Sequence, residues 1–294
     1  MIDLEIRIAA FTWLEDQVKI YGGILPRNIL QTGFIYKNDR VPLVAPNGIF
    51  TPKIMELPLT ITSISDGPYD DRVESDYILY KYRGKDPNHR DNVGLRKAME
   101  NNIPLIYIKS IMRNKYLLEW PAYIINDLKN ELTFKVAFDD MMYINNESYN
   151  ISEDPNPRRA YITSSVRKRL HQKSFRERVL HAYKTQCSLC RLKHKELLDA
   201  AHIIPDSEPD SQPTVDNGIS LCKIHHSAYD NFFIGISPDY KIIVRKDILE
   251  EIDGPMLQHG FKDLHNISIQ LPDIEKNKPN KNFLDIKYQK FMKA

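Results

Sequence analysis

The chain has 294 residues, 42% of them hydrophobic and 27% charged, an ordinary globular composition long enough for two domains. No apolar run approaches the ~18–20 residues of a membrane span. The first residues, MIDLEIRIAAFTWLEDQ, lack the basic start and small-residue cleavage site of a signal peptide, so a cytoplasmic protein with no membrane partner is expected. Three cysteines exclude a disulfide scaffold.

Residues 2–21 place Leu4, Ile8, Phe11, Leu14 and Val18 three or four apart, which predicts a helix ended by Gly22-Gly23. A strand-rich region follows, with runs at Leu57–Ile64, Tyr77–Tyr82, Pro104–Ile111, Trp120–Ile125 and Leu132–Phe138 and a helix over Asn92–Glu100. This predicts a mixed α/β domain over residues 1–145. Residues 146–161 are polar, contain two prolines and read as a linker. A second domain, 162–294, opens with a long helix over Ile162–Thr185, with Val166, Leu170, Phe175, Val179 and Tyr183 on its apolar side. The tail, Phe283–Met292, has helical spacing. The fold class is α+β.

The net charge of +2 hides an asymmetry. Between Arg158 and Lys195 there are twelve Lys or Arg and one acid, Glu177, so this stretch carries +11 and the rest of the chain −9. Phosphate contacts are made largely by Lys and Arg. Arg167, Lys168, Arg169, Lys173 and Arg176 on the long helix are therefore candidate contacts to a nucleic acid.

All three cysteines fall in two short motifs, Cys187-x-x-Cys190 and Cys222-x-x-His225. Two ligand pairs with two intervening residues each predict a pair of turns closing a tetrahedral zinc site. His194 is an alternative fourth ligand. Four protein ligands leave no position for substrate, so this zinc is structural and the chemistry lies elsewhere.

Between the two motifs stand His202 in AAHIIP, Asn217 in DNG, and His226 and Asp230 in HHSAYD. A strand through His202, a loop rich in Asp, Pro and Ser, and a helix starting near Leu221 put His226 and Asp230 on one helix face. His225 serves the zinc turn and His226 points about 100° further round. These residues, nested in a C-x-x-C…C-x-x-H frame, resemble the HNH endonuclease family, whose ββα-metal fold grips one divalent ion. The resemblance covers Phe175–Asp230, with a catalytic core over 175–240, and the segment AAHIIP…NGISLCKIHH…D is similar to the restriction-type branch. It implies that His202 is the general base, that Asn217 fixes the loop and the base, that His226 is a metal ligand, and that Asp230 takes the place of a second one. Chemistry agrees: histidine suits deprotonation of water near neutral pH, and a cation offsets transition-state charge. Mg²⁺ or Mn²⁺ suits the carboxylate, while Ni²⁺ or Zn²⁺ suits the imidazole. Ala201 departs from the family, many of whose members carry Asp or His directly before the base. Asp199 offers a substitute carboxylate, but strand alternation turns it away from His202.

The first domain resembles the SRA domain, a PUA-like fold that flips a modified cytosine into a pocket. Under that resemblance Tyr69 stacks on the extruded base, Asp70 or Asp71 reads its edge, and Arg83 faces phosphate or the orphaned partner. The resulting expectation is a metal-dependent restriction or modification-dependent DNA endonuclease acting on double-stranded DNA. One such core cuts one strand, so a double-strand break implies a homodimer or two binding events. The rival readings are a non-catalytic zinc-stabilised nucleic-acid-binding protein and an RNA-directed nuclease.

Overall fold

The chain separates into two compact units, Met1–Leu170 and His171–Ala294. A computed structural model describes residues 2–46, 48–64, 77–139, 156–206, 208, 211–252 and 254–294.

The first unit opens with α1 (Ile2–Tyr21), β1 (Ile24–Pro26), α2 (Arg27–Thr32), β2 (Phe34–Tyr36) and β3 (Asp39–Val41). Then come β4 (Ile49–Phe50), β5 (Thr60–Ile64), β6 (Ile78–Lys81), α3 (Arg90–Glu100), β7 (Leu105–Met112), β8 (Lys115–Leu128) and β9 (Thr133–Phe138). The helix α1 ends at Gly22 and Gly23, both at positive φ, a conformation that costs glycine little. The main sheet runs β4-β5-β7-β8-β9-β6, with β1 also on β8. Only β5 and β7 pair in parallel, among the described strands.

The sheet is buried on both faces, which is why β7 opens on the continuous apolar run Leu105–Ile108 rather than an alternating one. Ile106 and Ile108 pack with Ile6, Phe11 and Leu14 of α1. Leu105 and Tyr107 face the opposite core with Leu95 of α3. The strand expected at Trp120–Ile125 is longer, Lys115–Leu128. It follows β7 through a tight turn in which Asn114 takes a positive φ, as asparagine tolerates. The mixed α/β reading of this unit holds.

The helix α4 spans Asn156–Ala182. It starts six residues before the expected Ile162, inside the stretch whose composition reads as a linker. Pro157 sits in its first turn, where a missing N–H costs nothing. Val166 and Leu170 belong to the core of the first unit, and Phe175, Val179, Leu180 and Tyr183 to that of the second.

The second unit continues with β10 (Leu198–His202), β11 (Gly218–Cys222), α5 (Lys223–Asp230), β12 (Ile234–Ile236), β13 (Ile242–Val244), α6 (Lys246–Glu250), α7 (Pro255–Gly260) and α8 (Lys281–Phe291). Strands β10 and β11 form an antiparallel hairpin in which His202 lies opposite Gly218, and α5 follows at once. This hairpin-plus-helix is the predicted ββα unit. No helix among the described residues is long and apolar enough to cross a membrane.

Candidate functional site

Cys187, Cys190, Cys222 and His225 converge, with all ligand atoms within 4.8 Å of one another. Cys222 Sγ is 3.3 Å and Cys187 Sγ 3.5 Å from His225 Nδ1, and Cys190 Sγ is 4.0 Å from Cys222 Sγ. A tetrahedral zinc with Zn–S about 2.3 Å and Zn–N about 2.0–2.1 Å sets edges of roughly 3.8 Å and 3.5 Å, so these side chains fit that ion. The other ring nitrogen of His225 is 2.8 Å from the Gly260 carbonyl. It donates there, which leaves Nδ1 aimed at the thiols. Hydrogen bonds among the crowded thiols push Cys187 below its ordinary range and Cys190 above it; the thiolate is the form that binds metal. The first turn closes through Arg191 N–H to Cys187 O and Cys187 N–H to Leu192 O, with Arg191 at positive φ. His194 is not part of the cluster.

The second set lies around a cavity of about 440 Å³ whose lining includes His202, Asp206, His226, Asp230, Lys287 and Lys290. His202 ends β10. Its ring stacks on Phe175, with centroids 4.0 Å apart and planes 11° from parallel. Phe175 can come this close because residue 218 is glycine: a Cβ there would lie 2.8 Å from Phe175 Cζ and 2.5 Å from Val179 Cγ2. Burial holds His202 below the usual imidazole range, which keeps it neutral and able to accept a proton.

Asn217 is fully buried. Its Oδ1 accepts from Ile204 N–H at 2.8 Å, and its amide donates to Ile204 O, Gln212 O and Ser211 Oγ at 3.2, 3.0 and 3.3 Å. It ties both ends of the hairpin loop to the residues just past His202. Both the oxygen and the nitrogen of the amide are hydrogen-bonded, which explains why asparagine and not a hydrophobe stands there.

His226 and Asp230 project together from α5, with Nε2 3.2 Å from Oδ2. Neighbouring donors around an octahedral ion with ligands at 2.0–2.1 Å stand about 3 Å apart, so this pair fits one divalent cation. Asp230 raises the pKa of His226. Burial pushes the Asp230 carboxyl up, but hydrogen bonds from His226 and Lys287 outweigh it and hold it at about 2.

Two carboxylate expectations resolve in an unforeseen way. Ala201 is fully buried in the core of the unit, so the position before His202 faces away from the cavity. Asp199 arrives 3.6 Å from His226 Nδ1, on the ring's other edge from Asp230.

Three residues of this site were not singled out as functional by sequence. Phe175 stood only as an apolar helix position. Asp199 was set aside by strand alternation. Lys287 lies in the tail helix, yet its Nζ is 3.0 Å from Asp230 Oδ1 and 3.2 Å from the His202 carbonyl. The Asn-Gly pair at 217–218 was the available signal for Phe175; nothing local marks Lys287.

The basic helix residues divide. Arg167 donates to Tyr77 O at 3.2 Å and is buried. Arg176 donates to Lys195 O and Leu198 O at 2.9 and 2.6 Å. Arg158 and Arg159, part of the same charge run, both grip the buried Asp139 at 2.9 Å. Lys168, Arg169 and Lys173 are exposed, with Arg169 3.6 Å from Glu119. Charge density alone overstated the surface open to phosphate, because four of these seven cations satisfy internal acceptors. In the first unit Arg83 pairs with Asp91. Tyr69, Asp70 and Asp71 lie outside the described residues.

Residues 187–237 match the model of an HNH endonuclease family, and this part of the chain is an HNH endonuclease domain. Among solved structures, the chain is similar to a modification-dependent TagI restriction endonuclease, at 14% identity and a TM-score of 0.30, over 80% of this chain and 82% of that one. It is also similar to the Type IV phosphorothioation-dependent restriction endonuclease ScoMcrA, at 12% identity and a TM-score of 0.23, over 58% of this chain and 46% of that one. No curated protein sequence matches it.

Proposed function

We propose that this protein is a metal-dependent endonuclease that hydrolyses phosphodiester bonds in double-stranded DNA. The observation that carries the reading is the convergence of His202, His226 and Asp230 on one cavity within a segment matching an HNH endonuclease model. His202 is the general base: buried enough to stay neutral and held flat against Phe175, it takes the proton of the attacking water. Asn217 fixes the loop that follows and thereby the direction of the base. His226 and Asp230 hold Mg²⁺ or Mn²⁺. When bound, the cation supplies positive charge to the transition-state phosphate and the leaving oxygen. Asp199, beside the far nitrogen of His226, orients that ring. Cys187, Cys190, Cys222 and His225 hold a structural zinc that fixes the start of α5, so that His225 serves one metal and His226 the other.

Residues 1–145 are the DNA-recognition part, 146–161 a connecting stretch and 162–294 the nuclease part. The biological role is restriction of modified DNA, with the SRA-like resemblance of residues 57–112 supporting a base-reading pocket near Tyr69 and Asp70. Lys168, Arg169 and Lys173 supply phosphate contacts along α4. A double-strand break requires two copies.

The test is digestion of matched DNA substrates, unmodified, methylated, hydroxymethylated, glucosylated and phosphorothioated, with an RNA duplex alongside, in Mg²⁺ or Mn²⁺ and with EDTA. Cleavage of DNA that EDTA stops supports the nuclease reading. Preference for one modified DNA supports the restriction role, and equal cutting of all removes it. Cutting of RNA alone replaces the substrate assignment.

A further inference from the structure

We infer that Lys287 is a positioning residue of the proposed cleavage site, whose ammonium ties the strand carrying His202 to the helix carrying Asp230 and limits how tightly Asp230 holds a cation. This rests on the nuclease reading above.

Lys287 is only 8% exposed. Its Nζ donates to the His202 carbonyl at 3.2 Å and to Asp230 Oδ1 at 3.0 Å. The same ammonium lies 3.9 Å from the ring centre of Tyr229. The contacts therefore reach β10 and α5, the two elements that must keep a fixed separation for base and cation to face one phosphate. The position of the ammonium is imposed by how α8 docks. Leu284 is fully buried, and Phe291 sits against Gly235, where a Cβ would come within 2.5 Å of its ring. With 284 and 291 so anchored, residue 287 is carried inward on the same helix face.

A buried lysine is a costly way to fill space, since an apolar side chain of similar length would need no compensating partners. Its contacts give it a different use. Asp230 meets His226 through Oδ2 and Lys287 through Oδ1, so the plane of the carboxylate is fixed and one oxygen is left to share a cation with His226. The price is electrostatic: a positive charge beside the ligand weakens its hold on a second cation.

Removing that charge should therefore move two observables in opposite directions. In the full chain, Lys287→Met should bind Mn²⁺ more tightly, by about tenfold, when titrated calorimetrically without DNA. The same variant should cleave DNA at saturating Mn²⁺ at least roughly tenfold more slowly with little change in KM. Lys287→Arg, which keeps the charge, should return Mn²⁺ affinity to within about threefold of the parent. A residue that merely packs would shift both variants alike or not at all. Unchanged or weaker Mn²⁺ binding by Lys287→Met, or an Arg variant that binds as tightly as the Met variant, overturns the inference. Should the Met variant fail to fold, Lys287→Gln takes its place against the same Arg control. A parent chain that binds Mn²⁺ but cuts no nucleic acid defeats the nuclease reading alone, since the binding order of the variants is still measured.

Discussion

Gly218→Ala reaches His202, the proposed base, through a neighbour and so tests how the site is held. The added methyl would lie 2.5 Å from Val179 Cγ2 and 2.8 Å from Phe175 Cζ, both in a fully packed core. Contacts this short force side chains from their rotamers, and overpacking of this kind costs about 1–3 kcal/mol. For a unit the size of His171–Ala294 that lowers the melting temperature by roughly 3–15 °C. The ring that must yield is the one stacked on His202, so cleavage should fall between about tenfold and a hundredfold from a displacement well under 1 Å. Both tryptophans, Trp13 and Trp120, lie in the first unit. Their fluorescence does not report this unit, which is followed instead by calorimetry and by zinc release to a chromophoric chelator. Val179→Ala in the same chain vacates part of the needed space, so the double variant should be less destabilised than the sum of the singles by about 1 kcal/mol. A Gly218→Ala protein with unchanged melting and full activity would show that Phe175 neither contacts the hairpin nor steadies the base.

Other outcomes follow from the same geometry. Metal analysis should find about one tightly held zinc per chain, and Cys187→Ser should lose it and destabilise the second unit; a zinc-free, fully folded protein contradicts the fit. Asn217→Ala should destabilise that unit by roughly 1–3 kcal/mol, because it strips the partner from the buried Ile204 N–H, and denaturant unfolding measures it. The pH profile of cleavage should rise as His202 loses its proton. Burial lowers its pKa, so the rise should lie below the 6.5 of free imidazole and the rate should be flat above it; an acid limb above that value speaks against His202 as base. Asp139→Ala should leave the buried Arg159 without its carboxylate and cost the first unit about 3–5 kcal/mol, read by tryptophan fluorescence.

The residues legible in the sequence are those whose geometry is local. Cys187 and Cys190 lie in a turn just before a hairpin, and Cys222, His225, His202, Asn217, His226 and Asp230 in that hairpin and the helix after it, so short spacing brings them together. Lys287 stands 85 positions from His202 and meets it only through the docking of α8, a tertiary fact that no motif carries. The approach of Asp199 to His226 was missed, because alternation along a strand says nothing of the helix packed beside it. The arginines show the converse. Arg158, Arg159, Arg167 and Arg176 look like a phosphate surface when counted, but their partners are an aspartate and backbone carbonyls distant in sequence. In the first unit, a sheet covered on both faces left strand positions readable as apolar runs, while the ends of β8 and α4 went unread because Pro121 and Pro157 lie inside elements they commonly interrupt. The elements between Asn231 and Asn280 are too short for any period to show.

The central claim is that the imidazole of His202 removes the proton from water. Its most direct test is His202→Ala in the full chain, incubated with a cleavable DNA and saturating Mn²⁺ after circular dichroism and zinc content are shown to match the parent. The account predicts a folded, zinc-loaded protein that binds Mn²⁺ and DNA and leaves the DNA uncut. Cleavage at a rate near that of the parent would contradict it.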